Sequence, residues 1–435
     1  MTSPQLKQIE ARALEGKPVA QFLLSQICGQ NDDMVGMIHW LKRASDSHFT
    51  DAMAALGLCY EKGMGAPRNH STAIVYYDKA IAANSAVAAY QKAELLYKSN
   101  RGPGSNNLIS DLLQKSAKAG YLPAIGVIGY FAIQNEKSWE MGIACLRHCA
   151  DAGDPVSCFN LACCLIQSRF EVGDIEEASK NLKKALTADY PLANELLAEL
   201  DQSSQKSPAK SPSDPIDFTA SYSLYPEKRQ LDQKLMNSGP DVFLTAGVLD
   251  VMDRAYLIYL AKPRLSRANV IDPGSHSSGM ESEVRTSMST YLPFDSLDFI
   301  GRYVELKIIC ETDQDLVCSE PMSILYYAPG EYYRPHVDYF DPKLKVSKAL
   351  LEDGGQRTVS AITYLTSPDE GGGTSFQKLD ITVDAFAGST VWFRNCLDDG
   401  SPDRRSLHSG DTVVQGEKWV VTKWFRQKPT AYQSR

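Results

Sequence analysis

The sequence predicts a multidomain chain, an all-α solenoid of helical-hairpin repeats followed by an α+β domain of antiparallel strands. Three observations carry that expectation. A five-residue helical signature recurs at intervals of 36, 36, 33 and 36 residues through the first two hundred positions. A polar stretch with three prolines, DQSSQKSPAKSPSDPID at 201–217, then interrupts the apolar patterning. Beyond it come short β-branched and aromatic runs, TVSAITYL, ITVDAF, STVWF and KWVVTKWF, separated by Gly, Asp and Pro, which is how an antiparallel sheet is written.

The signature reads WLKRA ending at Ala44, YYDKA at Ala80, LLQKS at Ser116, CLRHC at Cys149 and NLKKA at Ala185. A small-residue-rich helical segment precedes each copy. In the clearest, DAMAALGLCYEKGMG at 51–65, Ala52, Leu56 and Tyr60 share one face and the glycines at 63 and 65 stop the helix. Two helices per period of this length imply an α-solenoid over residues 1–200, in which no unit buries its apolar face without its neighbours. LGLCYEKGMG and the following YYDKA resemble the Sel1-like repeat, a relative of the tetratricopeptide repeat; the other copies are degenerate. The resemblance implies a concave surface that holds a protein or peptide. His39, His48, His70 and His148 lack metal-ligand spacing and read as ordinary core or surface residues.

Residues 201–217 have almost nothing to bury and read as a linker, which makes 218–435 a separate folding unit. It opens with an expected helix within 243–265: Asp250 is the cap, Asp253 stands three residues on, Ala255, Ile258 and Tyr259 form the apolar face, and Pro263 ends it.

The chemistry concentrates in ILYYAPGEYYRPHVDYF at 324–340. On an extended segment His336 and Asp338 leave the same face and can address one metal. Two histidines and a carboxylate on one side of an octahedral first-row metal are the arrangement of non-haem Fe(II) oxygenases, so a second histidine is required. Of the seven histidines, His276, His336 and His408 lie beyond residue 200. His408, in SLHSGDTVVQGEKWVVTKWF ahead of an alternating apolar run, is the natural third ligand. Lys418 follows ten residues later, five to six strand steps on if the segment stays extended, placed to meet the far carboxylate of a dicarboxylic cosubstrate; its other reading is a solvent-facing strand lysine.

Three blocks, YYAPGEYYRPHVDYF, GGQRTVSAITYLTSPDEGGGTSF and LHSGDTVVQGEKWVVTKWF, resemble the catalytic domain of the prolyl 4-hydroxylase family of 2-oxoglutarate- and Fe(II)-dependent dioxygenases. The resemblance extends upstream through FLTAGVLDVMDRAYLIYLAKPRL and SEVRTSMSTYL and covers residues 240–428. It implies a double-stranded β-helix, a jelly-roll relative, with Fe(II) on His336, Asp338 and His408 and the C5 carboxylate of 2-oxoglutarate on Lys418. By the same resemblance Tyr327 contacts that carboxylate, as does Ser360, which stands where the family often has threonine. Read alone, Tyr327 is equally a core aromatic. Tyr333, Arg357 and Trp424 match positions lining the substrate groove, and Arg357 reads equally as a structural ion pair. The polar loop 272–287 is a candidate substrate lid whose His276 is not expected to be a ligand. The implied reaction couples oxidative decarboxylation of 2-oxoglutarate to succinate with hydroxylation of an unactivated carbon, with ascorbate as reductant.

Composition bounds the rest. The 53 acidic and 45 basic residues give a net charge of −8, so a general nucleic-acid or anionic-membrane footprint is not expected. No apolar run reaches a membrane span, and MTSPQLKQIEARALEGK lacks the apolar core of a signal peptide; a cytoplasmic protein with its ten cysteines reduced is expected. The leading expectation is a peptidyl-proline hydroxylase whose solenoid recruits its protein substrate. The rivals are the same chemistry on a free amino acid, small metabolite or other side chain, and a scaffold or sensor with a weakly active oxygenase domain.

Overall fold

In the computed structural model the described residues are 3–99, 106–167, 175–202, 216–218, 220–227, 231–238, 241–267 and 286–430. The linker expected at 201–217 therefore falls, from 203 to 215, outside them, as do residues 272–285 of the expected lid, His276 included. By contacts the chain forms two compact units, one of residues 1–149 with 213–224 and the other of 150–212 with 225–435.

The first unit is all-helical: α1 (Ser3–Leu14), α2 (Pro18–Gln30), α3 (Met34–Asp46), α4 (Thr50–Lys62), α5 (His70–Ala82), α6 (Ala86–Ser99), α7 (Asn106–Lys118), α8 (Leu122–Ala132) and most of α9 (Trp139–Asp151). As the sequence predicts, α4 stops at Gly63, which takes a left-handed φ of +73°. Gly57 on the same helix is a packing residue, because a Cβ there would stand 2.4 Å from the Tyr77 ring. The ring meets Ala54, Ala73, Ala80 and Leu95 in a core between neighbouring helices, and its hydroxyl donates to the buried Glu61 at 2.8 Å. Residues 213–224 join this unit: Tyr97 Oη donates to the Leu224 carbonyl at 2.7 Å, and the Tyr222 ring stacks parallel to that of Phe131.

The second unit starts with α10 (Pro155–Ile166), α11 (Ile175–Thr187) and α12 (Ala193–Gln202). By contacts these three helices group with the strands that follow, and aromatic rings join them: Tyr190 lies 5.0 Å from the ring of Phe159 and 5.0 Å from that of Tyr259. Tyr259 belongs to α13 (Val251–Ala261), which carries the capping box expected of Asp250 and Asp253. The fourth residue of the repeat signature is basic in every copy, and the structure explains two of them. Lys115 on α7 and Lys184 on α11 donate to the carbonyls of Ile81 and Ala150, at 3.2 and 3.0 Å, each in the last turn of the signature helix one repeat earlier, α5 and α9.

Among the described residues fourteen strands complete the second unit: β1 (Gln233–Ser238), β2 (Asp241–Thr245), β3 (Ser266–Arg267), β4 (Met288–Leu292), β5 (Met322–Tyr327), β6 (Tyr333–His336), β7 (Arg357–Tyr364), β8 (Glu370–Gly371), β9 (Thr374–Phe376), β10 (Ile381–Val383), β11 (Thr390–Arg394), β12 (His408–Gly410), β13 (Val413–Gln415) and β14 (Lys418–Arg426). The large sheet runs β1-β2-β11-β7-β14-β5-β4-β3, the small one β10-β9-β12-β6, and β13 pairs with β8; all pairings are antiparallel. Leu325, Tyr364, Val391 and Val420 of the large sheet share one core with Phe376 and Val383 of the small one. Two sheets facing across one core are the jelly-roll arrangement. Helix α14 (Phe299–Thr312) supplies Glu305 and Arg302 beneath the large sheet, and α15 (Lys345–Glu352) lies between β6 and β7 in sequence.

Candidate active site

His336 ends β6, an edge strand, where Pro335 removes no donor the sheet needs. In the antiparallel register of β12 with β6, His408 stands directly opposite His336. The expected strand through Asp338 is not found: β6 stops at His336 and Asp338 occupies a bend. Its carboxylate still reaches the two imidazoles, with Oδ1 3.8 Å from His336 Nε2 and Oδ2 3.7 Å from His408 Nε2. The three ligand atoms lie within 4.8 Å of one another.

Backbone contacts set the tautomers. Nδ1 of His336 lies 2.9 Å from the Arg334 carbonyl, and Nδ1 of His408 lies 2.9 Å from that of Ser406. A carbonyl only accepts, so Nδ1 carries the proton in both rings and each Nε2 lone pair points at the third ligand. Burial alone would raise the Asp338 pKa, but His408, His336 and Arg357 with the Ser360 hydroxyl bring it down to about 2. An ionised carboxylate with two neutral Nε2 donors fits Fe(II).

Ser360 differs from expectation. Its Oγ donates to Asp338 Oδ2 at 2.6 Å and accepts from Asn395 Nδ2 at 2.8 Å, so it orients the carboxylate rather than meeting the cosubstrate. A different strand hydroxyl lines the cavity: Thr374 follows Gly373, whose carbonyl accepts from Lys418, and its own hydroxyl accepts from Tyr364 Oη at 2.7 Å. Thr374 lies in the GGGTSF block, and its alternation with buried Phe376 was the available signal.

Lys418 is reached differently from the extended path expected. Between it and His408 the chain turns twice, through β12 and β13, and Lys418 opens β14 on the large sheet, paired with Tyr327. It is 2 % exposed, so the solvent-facing alternative is excluded. Its Nζ donates to the Gly373 carbonyl at 3.2 Å and lies 5.2 Å from the Tyr327 ring centre. Burial brings its pKa down to about 8, with Asp411 opposing. A Cβ on Gly410 would stand 3.4 Å from Tyr333 Cβ, 3.7 Å from Lys418 Nζ and 3.8 Å from Tyr327 Oη. Glycine at 410 therefore keeps open the space on which ammonium and phenol converge, as an anionic carboxylate requires.

A cavity of about 640 Å³ joins these groups, lined by all three ligand residues, Tyr327, Tyr333, Arg357, Lys418 and Trp424. Tyr333 stacks on the His336 ring, centres 3.6 Å apart. Arg357 is held by Glu320 through two parallel bonds of 2.8 and 2.7 Å, and its guanidinium lies 4.0 Å over Trp424. Arg357 is thus ion-paired, and it also lines the cavity. Arg426 shares Glu320 at 3.0 Å; neither Glu320 nor Arg426 was legible from local spacing. Trp424 Nε1 is buried without a hydrogen-bond partner among the described residues.

The 2OG-Fe(II) oxygenase superfamily model matches residues 322–426 and the Sel1 repeat model residues 50–85. Prolyl 4-hydroxylase 1 of Arabidopsis thaliana is 32% identical over 212 residues, covering 46% of this chain and 73% of that protein. The chain belongs to the prolyl 4-hydroxylase family. Probable prolyl 4-hydroxylase 7 of the same plant is 34% identical over 207 residues, 43% of this chain and 63% of its own length. Among solved structures, the viral collagen prolyl hydroxylase of Paramecium Bursaria Chlorella virus-1 in its 2OG complex is similar at 22% identity and a TM-score of 0.33, over 42% of this chain and 95% of its own. As a member of the prolyl 4-hydroxylase family the protein is a 2-oxoglutarate-dependent dioxygenase, and the His-Asp-His cluster is where its Fe(II) fits.

Proposed function

We propose that the enzyme hydroxylates prolyl residues of a protein or peptide that the repeat region recruits. The observation that carries the reading is the single cavity in which three metal-ligand residues, one buried ammonium, and a Trp–Arg platform meet. At about 640 Å³ it falls in the range of pockets that enclose a drug-sized ligand, enough for a diacid and one peptide side chain together.

In this reading Fe(II), bound by His336, Asp338 and His408, supplies the dioxygen chemistry with 2-oxoglutarate. Lys418, Tyr327 and Thr374 orient the cosubstrate through its far carboxylate. Ser360 and Asn395 hold the Asp338 carboxylate in place, which keeps the ligand set preorganised. Tyr333 and Trp424 flank the substrate, and the indole N–H is a donor awaiting an acceptor such as a peptide carbonyl. Glu320 fixes the guanidinium plane of Arg357 against the indole, so the platform is rigid before substrate arrives. The Sel1 match supports recruitment of a protein rather than a free metabolite. A reducing, cytoplasmic setting is part of the proposal, supported by ten cysteines that stand as thiols. No helix of the described residues is long and apolar enough to cross a membrane.

The test is succinate formation with Fe(II), 2-oxoglutarate, ascorbate and a proline-containing peptide, with the peptide analysed for a mass gain of one oxygen on proline. Succinate formation that no proline peptide stimulates, together with oxygen gained on a free amino acid or another side chain, would replace the peptidyl-proline reading.

A further inference from the structure

Beside the active-site cavity a second hollow of about 380 Å³ opens on the outer side of α15. The helix divides its residues between the two. Leu344, just before it, and Ser347 and Leu350 line the active-site cavity. Lys345 and Lys348, one turn apart, line the hollow with Lys343, Leu351 and Glu352. Leu344 borders both spaces, so a chain leaving the cavity over this residue enters the hollow directly.

The charge of the hollow is anomalous for this molecule. The chain carries eight more acidic than basic residues, 53 against 45, yet three lysines here face one glutamate. All three are exposed; the Asp341 carboxylate accepts from the Lys343 backbone N–H at 2.9 Å, and among the described residues no ion pair holds any of the three ammonium groups. The arginines of the adjoining cavity are less free to meet a ligand, because Arg357 and Arg426 are both held by Glu320. A free positive cluster continuous with the active site is complementary to carboxylates that arrive with the substrate.

We propose that the hollow is a side-chain subsite for aspartate or glutamate flanking the target residue, which makes α15 a specificity element selecting acidic peptides. The proposal rests on the peptide-substrate reading above. Each exposed ion pair contributes modestly, but three acting on one peptide segment multiply to about tenfold in affinity or kcat/KM.

The experiment uses the full chain and a set of single-proline peptides: one with neutral flanks, a series with a pair of glutamates moved through the positions on either side of proline, and a matched series with lysines. Turnover is read as kcat/KM and binding as anisotropy of labelled peptide, for wild type and for K343E/K345E/K348E. The wild type is expected to prefer one acidic register by about tenfold over the neutral peptide, with the preference shrinking as salt rises. The charge-reversed enzyme should lose that preference, favour the lysine series, and keep its activity on the neutral peptide. Equal use of acidic and neutral peptides by wild type, or an acidic preference that survives charge reversal, overturns the proposal. So does stronger competition by a short oligouridylate than by an acidic peptide of equal charge, which would assign the hollow to nucleic acid. If no peptide is hydroxylated but acidic ones still bind wild type about tenfold tighter than the variant, the subsite stands and the prolyl-hydroxylation reading fails.

Discussion

Lys418 and Lys423 lie on one strand, β14, both buried, at 2 % and 0 % exposure, and their surroundings are opposite. Alternation decides which face each meets. Residues 418, 420, 422, 424 and 426 line the active-site cavity, whereas Lys423 points to the other face, where its Nζ bonds Glu305 and the Glu320 carbonyl. Burial would raise the pKa of Glu305, but Lys423 and Arg302 hold it below the usual carboxylate range. Among the described residues the Lys418 ammonium bonds one carbonyl and no carboxylate, and Asp411 acts on it without forming an ion pair. A buried charge with its counter-charge built in is architecture; one without it has a ligand to meet. The iron cluster repeats the contrast, since its Nδ1 atoms are satisfied by backbone while both Nε2 atoms face the carboxylate across a gap a metal would fill.

The sharpest break falls on the cluster itself. His408→Ala should lower turnover by more than about 100-fold, the upper end for changes one shell further out, and added 2-oxoglutarate should not restore it; succinate formation across a wide cosubstrate range checks this. Lys423→Met should act on stability alone, costing about 3–5 kcal/mol because Glu305 loses its main counter-charge. Denaturant unfolding should show the loss, and the KM for 2-oxoglutarate should not change.

Lys418→Met should do the reverse. Loss of one side of a buried charged contact costs about 2–5 kcal/mol, carried by the KM for 2-oxoglutarate because the contact is equal in ground and transition states. Unfolding of this variant at neutral pH should require at least as much denaturant as wild type. Ser360→Ala should weaken Fe(II) binding about 10- to 100-fold, read from the iron dependence of succinate formation, with 2-oxoglutarate affinity preserved.

The smallest effect is the pH profile. The folded pKa of Lys418, about 8, lies below the ordinary lysine value. The charged form that binds cosubstrate is therefore lost as pH passes 8, and kcat/KM for 2-oxoglutarate should fall about tenfold between pH 7 and 9. Between about pH 8 and 10.5 the unfolded chain binds more protons than the folded one, so Lys418 makes wild type gain stability as pH rises there. Both slopes should be absent in Lys418→Met.

Much of this was legible beforehand because it is local. The repeat signature, the Asp250 capping box, the left-handed stop at Gly63 and the pairing of His336 with Asp338 are each written within a few residues. The ligand set followed from chemistry, since the domain offers few histidines and the metal needs two. The path to Lys418 was misjudged because a ten-residue interval does not disclose two turns and a change of sheet. Ser360 was expected at the cosubstrate because a strand hydroxyl facing the interior reads the same whichever anion it meets, and only the packing of the sheets turns it to Asp338.

The sequence alone determined the element types, the repeat period, the iron ligands and the family, because helix caps, alternation and motif spacing are short-range. Tertiary structure decided what those elements do to one another. It joined Arg357 to Glu320 across 37 residues and Ser360 to Asp338 across 22, and it packed Tyr190 against Tyr259. Those pairings depend on which face of one element meets which face of another, and a hydrophobic pattern records that a face is buried without naming its partner.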